Sequence, residues 1–98
     1  MQTVGIDIGT TTISGVVLEK NGTQKPRILK AKTIENGSFL TTTKDWERIQ
    51  DAEKIVKKSR QMLDDFLDEY PEVEKIGLTG QMHGMLYVDA SGMAVSPL

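Results

Sequence analysis

The stretch "VGIDIGTTTISGVVLE", residues 4–19, constrains the fold more than any other. Val4, Ile6 and Ile8 alternate with Gly5 and Asp7, the period of two that marks a half-buried strand. Residues 11–20, "TTISGVVLEK", are β-branched and apolar again, with Gly15 as an expected weak point. A parallel pair needs a crossover of a dozen residues or so, and the link here is far shorter, so the two runs pair antiparallel. The chain therefore opens as a hairpin. Its connection holds Gly9, Thr10, Thr11 and Thr12 just after Asp7, more acid and hydroxyl than a turn requires.

A second turn, around Asn21-Gly22, leads into a third strand at 27–35. Residues 36–43 read as a loop with two exposed apolar side chains, Phe39 and Leu40. Residues 45–50 suit a separate short helix capped by Asp45, with Trp46 as its amphipathic anchor. The period then changes to that of a helix. Between Asp51 and Tyr70 a stripe forms from Ile55, Met62, Phe66 and Tyr70, widened by Val56, Leu63 and Leu67. Asp51 suits the N-cap although Lys54 breaks the capping box, and Pro71 ends the helix. The charges of residues 54–60 read as a solvated helix face, with Glu53 and Lys57 as a weak pair. Residues 73–80 return to strand, 81–84 form a loop, and 85–98 read as a hairpin whose turn is opened by Asp89 with Ser91 and Gly92. The order β-β-β-α-β plus a C-terminal hairpin predicts a layered α/β domain.

Composition narrows the function classes. The 98 residues carry 12 basic and 14 acidic side chains, a net charge of -2, so no cationic face for nucleic acid is implied. There is no cysteine, which closes disulfide and Cys-ligated zinc readings, and the single histidine, His83, argues against a His-based metal site. No apolar run approaches the roughly 20 residues of a membrane span. The first residues show no signal-type basic and apolar regions, so a cytoplasmic location is expected.

The first hairpin carries the chemistry. Gly9 lets the backbone turn tightly and approach a ligand, and the turn offers free N–H groups and three hydroxyls. An acid beside such an anion cradle repels a phosphate unless a divalent cation lies between them, an arrangement Mg²⁺ favours. A Walker A loop is excluded because no lysine and no helix follow. The residues alone leave two readings open: a Mg·nucleotide hairpin, or a threonine-rich hairpin with a solvated Asp7.

"GIDIGTTT" (5–12) resembles the phosphate-binding hairpin G-x-D-x-G-T-[TS] of the actin-like ATPase superfamily, which includes hexokinase, actin and the sugar kinases. "IGLTGQMHGMLYVDASGMAVSPL" (76–98) resembles the FGGY carbohydrate kinases, in particular the xylulokinase and sedoheptulokinase branches with their "GQMHG" loop. "IQDAEKI" (49–55) is similar to the family's "EQDPE"-type segment, with Ala52 where proline is usual.

The resemblance implies a ribonuclease H-like fold, of which residues 1–98 would be the first part of the N-terminal kinase domain. It implies an ATP-dependent transfer of the γ-phosphoryl group to a sugar hydroxyl, with a ketose such as xylulose as the expected acceptor and sedoheptulose or another sugar or polyol as the alternative. Asp7 would position Mg²⁺ through water, and Gly9, Thr10, Thr11 and Thr12 would contact the phosphates. Gln81, Met82 and His83 would meet the sugar, Met packing on its carbon skeleton and the imidazole on a hydroxyl. A lone loop histidine would otherwise be read as bonded to its own backbone. Ser14 departs from the family, which often carries a basic residue there. The family's catalytic base and adenine-binding elements fall beyond residue 98, so the chain by itself is expected to be inactive and, with an unpaired edge and exposed apolar surface, to self-associate. A non-catalytic actin-like nucleotide-binding or sugar-sensing module is the alternative.

Overall fold

The computed structural model describes residues 1–42, 44, 49–81 and 84–98. Three strands, β1 (Gln2–Ile8), β2 (Thr12–Glu19) and β3 (Arg27–Glu35), precede one helix, α1 (Ala52–Glu69), and a fourth strand, β4 (Val73–Gly80). They form one sheet in the order β3-β2-β1-β4. β1 pairs antiparallel with β2, β2 antiparallel with β3, and β1 parallel with β4. The short Gly9–Thr11 link forces the first pairing, and the helical crossover permits the last.

Alternation places Val4, Ile6, Ile13 and Val17 on one face, where they bury against Met62 and Phe66 of α1. Burying each such side chain stabilises by roughly 1.5–3 kcal/mol. Gly15 lies opposite Ile6 in this register. It is no weak point. A Cβ there would stand 2.5 Å from the Phe66 ring and 2.7 Å from the Met62 sulfur. The missing side chain is what lets the helix seat on the sheet. Two ion pairs flank the contact, Lys30–Glu69 and Lys32–Asp65. Both are about half exposed, so each contributes little.

Asp51 caps the helix as expected, its Oδ1 accepting from the Lys54 N–H at 3.2 Å. The helix closes with the Tyr70 N–H donating to the Phe66 carbonyl. Three expectations for this helix need correction. Val56 is exposed and turns toward a groove shared with Leu86, Val88 and Met93, so the apolar stripe is narrower than the sequence suggests. Glu53 and Lys57 form no ion pair among the described residues. Nor is the charged face wholly solvated. Lys54 donates to the Gly37 carbonyl, and Lys58 donates to the carbonyls of Glu35 and Asn36.

The C-terminal hairpin shrinks to a single bridge, Val88 with Ala94, around the expected turn. Asp89 Oδ1 accepts from the Ser91 N–H, the Ser91 hydroxyl and the Met93 N–H, and Gly92 takes a φ of 85°. Met85, Tyr87, Val88, Met93 and Val95 all remain exposed, so no packed layer holds a longer ladder. In the expected short helix, Trp46 and its neighbours at 45–48 lie outside the described residues. Gln50 is not helical and bridges to Phe39.

Candidate phosphate and sugar site

β1 and β4 are adjacent and parallel, with Ile8 opposite Gly80. The turn after β1 and the loop after β4 therefore leave the sheet at the same end. In α/β sheets ligands bind beyond the carboxyl ends of such strands. The end of β1 in the first motif and Gly80, which opens the second, are neighbours here.

The turn is organised by its carbonyls. Gly9 O accepts from the Asn36 side-chain amide at 2.8 Å, Thr10 O from the Gln50 side-chain amide at 3.1 Å, and Thr11 O from the Asn36 backbone N–H at 2.8 Å. The Gly9 N–H closes the turn on the Thr12 carbonyl at 2.9 Å. The N–H groups of Thr10 and Thr11 have no acceptor among the described residues, and both residues are exposed. Acceptors are thus consumed by the protein while donors are left over, the requirement for an anion cradle. Gly9 cannot carry a side chain, because a Cβ would stand 2.8 Å from the Thr12 carbonyl oxygen.

Asp7 is exposed on the sheet face opposite α1 and makes no hydrogen bond or ion pair among the described residues. Its cross-strand partners are Ser14 on β2 and Thr79 on β4. Ser14 shares a hydroxyl contact of 3.0 Å with Thr33. With Gly5, Ala31 and Gly77 these residues line a shallow groove of about 520 Å³. The described residues hold no group of three or more metal-ligating side chains. A single free carboxylate beside an anion cradle fits Mg²⁺, which keeps its waters and takes phosphate oxygens, and does not fit a cage-bound metal.

Of the residues expected at the sugar, Gln81 is half-buried and donates from Nε2 to Gln50 Oε1 at 2.7 Å. Met82 and His83 lie outside the described residues. Asn36 and Gln50, both buried, are the residues that sequence reasoning missed. The Asn36-Gly37 pair reads as a turn, and a buried amide in a loop has no periodic signature. Asp89 stays with its turn. Hydrogen bonds from the Met93 and Ser91 backbone and hydroxyl groups hold its carboxyl below the usual value, which needs no ligand.

No family model matches the chain. Sedoheptulokinase from Mus musculus is 30% identical over 90 residues, covering 87% of this chain and 19% of that protein. A xyloylose kinase from Brucella ovis superimposes with a TM-score of 0.78 at 24% identity, over 99% of this chain and 20% of the other. A xylulose kinase from Lactobacillus acidophilus gives 0.80 at 20% identity, over 98% and 19%. The chain thus spans about a fifth of the length of the relatives it matches. More distantly, an Aquifex aeolicus Ppx/GppA phosphatase gives 0.56 over 82% of the chain. The ribonuclease H-like α/β fold, the paired "GIDIGTTT" and "GQMHG" motifs and the sedoheptulokinase match agree, and together they put this chain in the FGGY carbohydrate kinase family.

Proposed function

We propose that this chain supplies the phosphate-binding turn and part of the sugar site of an ATP-dependent ketose kinase, acting on xylulose or sedoheptulose. The observation that carries the reading is the turn itself: three carbonyls bound inward and, among the described residues, two N–H donors left over and an unpaired carboxylate one strand-end away. The Thr10 and Thr11 N–H groups bind phosphate oxygens, with the Thr10–Thr12 hydroxyls beside them. Asp7 accepts from the water shell of Mg²⁺ and thereby holds its register. Bound Mg²⁺ neutralises charge on the transferred phosphoryl group, which needs positioning and charge compensation more than covalent help. Gln81, Met82 and His83 orient the acceptor hydroxyl. A general base comes from residues outside these 98, as the family resemblance implies, so the chain alone transfers no phosphate. The exposed apolar residues of β4 and 85–95 are covered in the longer protein and drive self-association without it. A cytoplasmic location suits a kinase of free sugars.

The test is sugar-stimulated ADP formation by the protein carrying this chain, with Mg·ATP and a panel of ketoses and polyols. Turnover with xylulose or sedoheptulose is expected, and Asp7→Asn should lower it by about 10²-fold or more. If no sugar stimulates ADP release, the kinase reading fails.

A further inference from the structure

Gln50 touches both halves of the site. It is 2% exposed, and both ends of its side chain are engaged. Nε2 donates to the Thr10 carbonyl at 3.1 Å, and Oε1 accepts from Gln81 Nε2 at 2.7 Å. The direction of this chain of bonds is dictated chemically. A carbonyl only accepts, so Thr10 fixes which end of the Gln50 amide faces the turn. That leaves the Gln50 oxygen toward Gln81, so Gln81 must donate. Its own oxygen then faces the loop, 3.5 Å from where a Gly84 Cβ would stand. One amide rotation at Gln50 would break both bonds together.

The backbone of Gln50 is held as firmly. Its N–H donates to the Leu98 carbonyl at 3.1 Å and its carbonyl accepts from the Leu98 N–H at 2.9 Å. On either side, Ile49 O accepts from Leu40 and the Asp51 N–H donates to Ser38. The Gln50 side chain forms a strut between the turn at 9–12 and Gln81.

Resting on the kinase reading above for its ligands, we infer that Gln50 is a positioning residue that couples the two half-sites. A phosphate drawn onto the Thr10 and Thr11 N–H groups moves the Thr10 carbonyl. Gln50 passes that movement to Gln81, and so to the sugar loop. Coupling of this kind is reciprocal: the sugar must tighten the nucleotide by the same factor that the nucleotide tightens the sugar.

The experiment has two arms. The first needs no ligand. In the full chain, amide hydrogen exchange is followed at Gly9 and Asn36, whose N–H groups are bonded within the turn. Gln81→Met, which removes no acceptor of either N–H, is expected to speed their exchange severalfold. In the Gln50→Met background, which keeps side-chain length and is checked by thermal melting, Gln81→Met is expected to add nothing further. Unchanged exchange in Gln81→Met, or an equal increment in both backgrounds, overturns the proposal.

The second arm measures Mg·ADP binding with and without D-xylulose or sedoheptulose in the protein carrying this chain. The ketose is expected to tighten Mg·ADP about fivefold or more in the parent and to approach no effect in Gln50→Met. An undiminished ratio in Gln50→Met overturns the inference. If the parent binds neither ligand, the kinase reading falls and the exchange arm decides on the strut by itself.

Discussion

The turn at 9–12 and the turn at 89–92 are both short, glycine-containing and rich in small polar residues, yet they are built in opposite ways. The first borrows its partners from far along the chain, Asn36 and Gln50, so its geometry depends on the whole domain. The second is self-sufficient, with Asp89 binding residues two and four positions on. A turn satisfied by its own side chain spends its Ser91 and Gly92 N–H groups on Asp89. A turn whose carbonyls are held by distant amides leaves the Thr10 and Thr11 N–H groups without an acceptor among the described residues. The same contrast runs through packing. The hairpin lies over a helix, whereas the side chains around Asp89 lie open.

The comparison can be broken by mutation, and the largest effect belongs to the packed half. Phe66→Ala should cost about 3–5 kcal/mol in chemical denaturation. Met93→Ala, a similar truncation in the open half, should stay within about 0.5 kcal/mol. Equal losses would mean the C-terminal segment is packed as tightly as the hairpin. Next comes Gly15→Val, expected to cost about 1–3 kcal/mol because the added atoms meet Phe66 and Met62. A stability gain there would show that the helix can lift without penalty.

Asn36→Leu tests the borrowed clamp. It leaves the Gly9 carbonyl without its donor, which costs about 1–3 kcal/mol. The lower end is expected, since Asn36 Oδ1 is itself buried without a partner among the described residues and its removal gives something back. Nucleotide affinity should fall with it, whereas Asp89→Ala should leave affinity unchanged.

The smallest effect is a pH response of the second turn. The Asp89 carboxyl sits below its ordinary value of 3.8 through hydrogen bonds from Met93 and Ser91. A depressed folded value means the turn gains support above that ordinary value. The support is lost as pH falls through the folded one. Amide shifts of Ser91 and Met93 should titrate there while those of Gly9 and Asn36 do not. A shared titration would join two turns that the structure keeps separate.

Strand and helix bounds were legible because their signals are periodic and local. Residues 27–35 and 73–80 emerge as β3 and β4, and Asp51 caps its helix. Asp7, Gly9 and the threonines stood out because their chemistry exceeds what a turn needs. Gly15 was misjudged because propensity counts the strand it weakens and not the helix that needs the room. The hairpin at 85–98 was overdrawn because alternation states which face is apolar, not whether anything covers it.

The sequence by itself determined the hairpin, the helical period and the two motifs, since each rests on neighbours within a few residues. Only the tertiary structure decided which distant side chains hold the turn. Asn36, Gln50 and Gln81 meet the turn across separations of 27 to 40 residues, or through one another, and bonds of that span leave no pattern in the chain. Side-chain amides fit many environments. Burial and fixed carbonyls around Gln50 are what give its amide one orientation.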